Sequence, residues 1–365
     1  MRLLPLLSVW LLLCSLSTIA QDTPINAKTL LSAGTICDGT CAEEILGEVA
    51  IQGKNSSAAA KSLELPLAGE TKLVLAGVEE GKNVLTANDA FTQSLSRFDL
   101  QVRLKRTENA TLEEWKKFVA GEVLPWSDVE VAHVKPAATM LAEKLKKLKL
   151  PLPEKVLLVH TSGKEEAEAA YTRANAIFLP SVMLTYSPEK LEEKLCHELF
   201  HVLSRHDAET RQRLYGIIGF RACEEIPLPA MLKDRKLTNP DAPQINCVID
   251  LKVDGRYVTA APILYSSSEN YDSKKESLFR YLVFRLMVVE KRDGKWQPAA
   301  SGGGPVLLDP EPNKLPSYFE QIGMNTGYII HPDEILADNF IKLVKEEKNL
   351  KTPKIVEQMQ SVLKP

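Results

Sequence analysis

"LCHELFHVLSRHD", residues 195–207, sets His197 and His201 four positions apart around Glu198, within a run whose apolar residues recur at three- and four-residue intervals. On a helix, positions four apart share one face with about 6 Å between them, a separation at which two imidazoles can hold one zinc ion. Glu198 then lies beside the open position of that ion. A glutamate placed there can accept a proton from an activated water and hand it to a leaving amine. The run is preceded by Ser187, an N-cap residue, and Pro188, which suits the first helical position. A helix is therefore predicted through both histidines, with His197 and His201 as zinc ligands and Glu198 as general base. The chain has only six histidines, and their chance placement in a surface helix is the alternative that this context disfavours.

A third ligand has to come from elsewhere. Asp207 falls at the third-ligand position of the H-E-x-x-H-x-x-G-x-x-H/D pattern, but Ser204 replaces the glycine that lets the chain turn there, and His206 is one position out of register. Glu224 and Glu225 lack a supporting acid four residues on. The stronger candidate is "HPDEILADNF", residues 331–340, where Glu334 and Asp338 are four apart on a helix opened by Pro332. One carboxylate can bind zinc while the other orients a ligand histidine.

Together the two motifs resemble those of gluzincin metallopeptidases, the thermolysin- and neprilysin-like group, whose E-x-x-x-D supplies the third ligand from its first acid. The resemblance implies an α+β, zincin-like catalytic domain, Zn2+ held by His197, His201 and Glu334, a supporting Asp338, and a peptide or protein substrate hydrolysed by a zinc-bound water. It also implies that Asn175–Leu179 of "NAIFLP" is an edge strand pairing with extended substrate. Two departures stand out: the interval from His201 to Glu334 is long, and Asp333 occupies a position where asparagine is common. Tyr328 and His331, just upstream of Glu334, are candidate donors to the oxyanion formed when water attacks a carbonyl. The reading from another class is a catalytically inactive secreted binding protein that keeps this fold; retention of Glu198 speaks against it, because zinc binding alone does not need a base.

The start, residues 1–20, has one Arg, an apolar run from Leu3 to Leu13 and small residues up to Ala20, which reads as a signal peptide. The run is too short to span a bilayer, so a secreted or periplasmic protein without stable membrane insertion is expected. Lipidation at Cys14 is disfavoured by Leu13 before it. The remaining cysteines are an odd set, read as a Cys37–Cys41 bridge, a Cys223–Cys247 bridge and a buried Cys196. A net charge of −3 with no concentrated basic face gives no reason to expect nucleic acid.

Residues 21–87 read as a small N-terminal region and residues 88–365 as the catalytic domain. "TLEEWKKFVAGEVLPW" and "KPAATMLAEKLKKLKL" have helical periodicity, "KVLLVHTS" reads as a buried strand, and "GKEEAEAAYTR" as a helix. Two hairpins, turning at Asp254-Gly255 and Asp293-Gly294, form an inserted antiparallel β element at about residues 244–300. "SGGGP", residues 301–305, reads as a flexible connector, and two helices end the chain.

Overall fold

Two sheets and the helices between them carry the fold. The computed structural model describes residues 63–275 and 277–364, so the expected signal peptide, the expected Cys37–Cys41 bridge and the rest of residues 21–62 lie outside the described residues. The first sheet holds β1 (Leu63–Ala68), β2 (Thr71–Leu75), β3 (Lys155–Thr161), β4 (Tyr171–Arg173) and β5 (Ala176–Pro180) in the order β1-β2-β3-β5-β4. β2, β3 and β5 run parallel, and both edge strands are antiparallel to their neighbours. As expected for a central strand, β3 is buried on both faces from Val156 to Thr161. Successive residues point to opposite sides: Val156, Leu158, Ile177 and Leu179 enter the main core, whereas Leu157, Val159 and Phe178 meet Phe91 and Trp115 in a second core.

Three expectations are corrected here. The boundary at residue 87 moves, because β2 pairs in parallel with β3 and so belongs to the same sheet as the strands beyond residue 87. "GKEEAEAAYTR" is not a helix: one 3-10 turn, Lys164–Glu166, gives way to left-handed backbone at Ala167 and Glu168, with φ of 52° and 66°, which ends helical winding. The chain then returns as β4, which takes the sheet edge. The "NAIFLP" strand, fully buried as β5, is consequently an interior strand between β3 and β4.

The second sheet comprises β6 (Phe220–Ala222), β7 (Cys247–Val253), β8 (Arg256–Ser266), β9 (Leu282–Arg292) and β10 (Lys295–Pro298), antiparallel throughout in the order β10-β9-β8-β7-β6. Both expected hairpins form. Their turns put Asp254-Gly255 at φ of 49° and 80° and Asp293-Gly294 at 49° and 79°, the positive pair that a type I′ turn demands. The sheet reaches beyond 244–300 at both ends, through β6 and through Leu307–Leu308 paired on β9. One face, with Ile249, Leu251, Ala260 and Leu286, belongs to the main core, and the other, with Val248, Ile263 and Met287, forms its own cluster. "SGGGP" is a small hairpin instead of a connector, with Ala300–Ser301 paired to Gly304–Pro305 across two positive-φ glycines.

The Cys223–Cys247 bridge is also overturned. Cys247 lies opposite Ala222, so Cys223 is one residue out of register and its side chain projects to the other face. Cys247 sits in the main core, Cys223 in the cluster behind the sheet, and both are free thiols, as is the buried Cys196.

The helix Pro188–His206, called here the motif helix, packs beneath β4 and β5 and against both Asp128–Leu145 and Pro332–Val344, the acid helix. Leu195, Leu199, Val202 and Leu203 of the motif helix meet Ile335, Leu336 and Phe340 of the acid helix in the main core. The fold class is α+β. Among the described residues, no helix is long and apolar enough to cross a membrane.

Candidate metal centre

Both helices have defined starting points. Ser187 caps the motif helix by accepting the Lys190 N–H at 3.3 Å, a contact contributing about 1 kcal/mol, and Pro188 follows it. The acid helix opens at His331, whose Nδ1 accepts the Asp333 N–H at 3.2 Å, and Pro332 follows. Packed together, they bring His197 Nε2 to 3.2 Å and His201 Nε2 to 3.5 Å from the same oxygen, Oε2 of Glu334.

Each histidine is held from behind. His197 Nδ1 lies 3.2 Å from Asp338 Oδ1, the supporting acid that the sequence points to. His201 Nδ1 lies 3.1 Å from Asp333 Oδ2, whose other oxygen accepts the Ser204 hydroxyl at 2.5 Å and the Tyr215 hydroxyl at 3.0 Å. Carboxylates on the outer nitrogens fix ring orientation and turn the inner nitrogens toward Glu334. Ser204 and Asp333, read in the sequence as departures from known patterns, are thus partners of each other.

The inner side is where a cation fits. His201 Nε2 is fully buried and has no hydrogen-bond partner, only the Glu334 carboxylate at 3.5 Å. His197, His201 and Glu334 each offer a donor atom within 4.8 Å of the others. Two imidazoles and one carboxylate form a donor set of the kind found in catalytic zinc sites, which keep a fourth position open. Burial works against charge on His197, but the hydrogen bonds it donates to Asp338 and Glu334 outweigh it and raise the imidazole to about 9. Burial opposes charge on His201 too, and there Asp241, Glu334 and Asp333 carry the pKa well above its ordinary value. Glu334, despite burial, is held well below the usual carboxylate range by the two histidines.

Glu198 is buried beside this group, and its Oε2 accepts the Thr172 hydroxyl at 2.9 Å. The edge strand β4 therefore fixes the candidate base. Tyr328 stacks on His197 with ring centroids 6.3 Å apart and keeps 42% of its surface exposed at the rim. Desolvation of its hydroxyl and the carboxylates of Glu334, Asp241 and Glu198 push its pKa well above the ordinary phenol value, so it remains a donor.

His331 is placed differently from the expectation. Its Nδ1 caps the acid helix and its Nε2 lies 3.6 Å from Cys247 Sγ, so both ring nitrogens are engaged in the core. Burial pushes its pKa down to about 4, leaving a neutral ring that positions the acid helix and does not offer a hydrogen bond to an oxyanion. The rival ligands lie outside the cluster. Asp207 caps the helix Ala208–Ile217 by accepting the Thr210 N–H at 2.7 Å. Glu224 and Glu225 are exposed, and Glu225 accepts the Gln244 amide.

Three residues at the site lie outside both motifs, Thr172, Asn239 and Asp241, while Asp333 lies inside the second without a role read for it. Asn239 Nδ2 donates to Glu334 Oε1 at 2.6 Å, which leaves Oε2 for the histidine side. Asp241 joins Glu198 and His201 in a second group of donors within 4.8 Å of one another. The "TNPDAP" stretch containing both has the Asn, Asp and Pro content of a tight loop, and that composition was its only signal.

Comparison with known proteins gives no identity. No protein family, no curated protein and no solved structure matches the chain.

Proposed function

We propose that the chain is an exported zinc metallopeptidase of gluzincin type, in which His197, His201 and Glu334 hold the ion. One observation carries the reading: the buried, unpartnered Nε2 of His201 faces the His197 and Glu334 donors, while both outer nitrogens are tied to carboxylates. A zincin-like arrangement is supported by the antiparallel edge strand β4 lying over the motif helix, with the acid helix packed beside it. The ion, when bound, supplies Lewis acidity that lowers the pKa of water toward neutrality and polarises a carbonyl.

The chain's own residues do the rest. Glu198, steadied by Thr172, takes the proton from the attacking water and returns it to the departing amine. Tyr328 donates toward the oxygen on which charge develops. Asp338 and Asp333 keep the imidazoles in the tautomer that presents a lone pair inward. The substrate class is a peptide or protein.

Metal binding should depend on pH. The folded pKa of His197, about 9, lies above its ordinary 6.5, so its charged form stabilises the metal-free fold fully below pH 6.5 and that contribution is lost as pH rises through about 9. Zinc takes the neutral ring, and binding must expel the proton. Competition with a chromophoric chelator at pH 6, 7 and 8 is expected to show zinc affinity climbing about tenfold or more per pH unit. A flat profile contradicts protonated histidines in the metal-free site.

Hydrolysis of a mixed peptide library tests the activity. Cleavage that stops with a chelator and returns with added zinc is expected. Intact peptides in the presence of zinc-loaded protein favour instead a binding protein that keeps the site without turnover.

A further inference from the structure

We infer that Asp241 is a further metal donor on the side that faces Glu198, and that the segment 237–243 is a latch holding the resting site closed. This rests on the zinc reading above.

Asp241 shares a donor cluster with His201 and Glu198, whereas His197 and Glu334 complete the other cluster around the same histidine. His201 is thus common to both, and its inner nitrogen is buried without a hydrogen-bond partner. A cation held by His197, His201 and Glu334 would find its next donors in Glu198 and Asp241, each of which offers an atom within 4.8 Å of one on His201. Three carboxylates, those of Glu198, Asp241 and Glu334, converge on this point, and burying like charges together is costly unless a cation joins them.

The segment also covers the edge strand. Thr172 of β4 directs its N–H away from β5, and that N–H donates to Asp241 Oδ1 at 2.6 Å. The Thr172 carbonyl accepts from Arg205 Nη2 at 3.2 Å, and the same nitrogen holds the Asp241 carbonyl at 3.0 Å. An extended peptide adding to this edge needs those backbone groups. With Asn239 on Glu334 and Asp241 on Thr172, the tip of the segment occupies both the free edge and the free side of the metal site.

Its base is fixed in the fold. The Thr238 N–H and hydroxyl both donate to Asp99, at 3.0 and 2.7 Å, and Arg103 Nη2 donates to the Thr238 carbonyl at 2.9 Å. Lys236 Nζ ties down the Pro243 carbonyl at 2.7 Å. A segment anchored at both ends can release its tip without leaving the domain. Substrate therefore enters by displacing Asp241 from the strand edge and from the ion together.

The test uses the full chain, with Asp241→Ala and Asp241→Asn beside the wild type. Asparagine keeps an acceptor for the Thr172 N–H but loses the charged metal donor, which separates metal binding from the strand contact. Zinc affinity by chelator competition is expected to fall about 10- to 100-fold in both variants. The visible band of the cobalt-loaded protein should shift, and library hydrolysis at saturating zinc should accelerate, more in Asp241→Ala than in Asp241→Asn. Thermal melting confirms that each variant is folded, and Asp241→Asn alone decides should the alanine variant fail to fold. Unchanged affinity and cobalt spectrum in Asp241→Asn overturn the donor role; slower hydrolysis in every folded variant overturns the latch. A wild-type chain that binds neither metal overturns the zinc reading and this inference with it, whereas metal bound equally by wild type and variants removes the donor role of Asp241 and leaves the zinc reading standing.

Discussion

Glu334→Ala should yield a folded chain that no longer retains zinc. Glu334 is almost wholly buried, and its Oε2 is the carboxylate oxygen nearest both inner imidazole nitrogens, at 3.2 and 3.5 Å. Without it the carboxylate nearest both histidines is gone, leaving them only the more distant Asp241 side, and affinity is expected to fall by more than about 100-fold. The Asn239 amide loses its acceptor in the same substitution, which adds about 1–3 kcal/mol of destabilisation and is visible in the melting temperature. Asp338→Ala behaves differently, because that carboxylate reaches His197 from behind. Zinc still binds there, about 10- to 100-fold more weakly. Alanine at Asp207, Glu224 or Glu225 leaves zinc in place, and Asp207→Ala costs about 1 kcal/mol through the lost helix cap. Zinc content after equilibrium dialysis reads all five variants; full occupancy in Glu334→Ala with loss in one of the three others would contradict the assignment.

Glu198→Gln should separate binding from turnover. The amide keeps the shape and an oxygen for the Thr172 hydroxyl, now at 2.9 Å from Oε2, but cannot take a proton. Library hydrolysis is expected to fall by about 10²- to 10⁴-fold while zinc affinity holds. Wild-type turnover in this variant removes Glu198 from the role of base, and loss of metal along with activity makes it a ligand instead.

What was legible in the sequence is what short-range periodicity encodes. The pairs His197/His201 and Glu334/Asp338 are each four apart on one helix, so their shared faces follow from helical geometry. The two Asp-Gly turns were legible for a similar local reason. Illegible was whatever depends on register or on distant segments. Whether Cys223 can reach Cys247 turns on a one-residue offset between β6 and β7, which spacing does not reveal. The Ala- and Glu-rich 163–170 stretch favours helix by propensity, yet buried Glu165 and Glu166 and the left-handed Ala167 and Glu168 turn the chain back to form the edge strand. Thr172, Asn239 and Asp241 reach the centre only through tertiary packing from β4 and the segment 237–243. His331 has the right residue type near the right motif, but its ring serves the helix cap and Cys247.

Diffraction from zinc-soaked crystals, recorded on both sides of the zinc absorption edge, locates the ion itself. A single strong anomalous peak among His197 Nε2, His201 Nε2 and Glu334 Oε2 is the expected result. A peak at Asp207 or at Glu224 and Glu225, or no peak between the motif helix and the acid helix, would contradict the convergence of the two motifs on one metal.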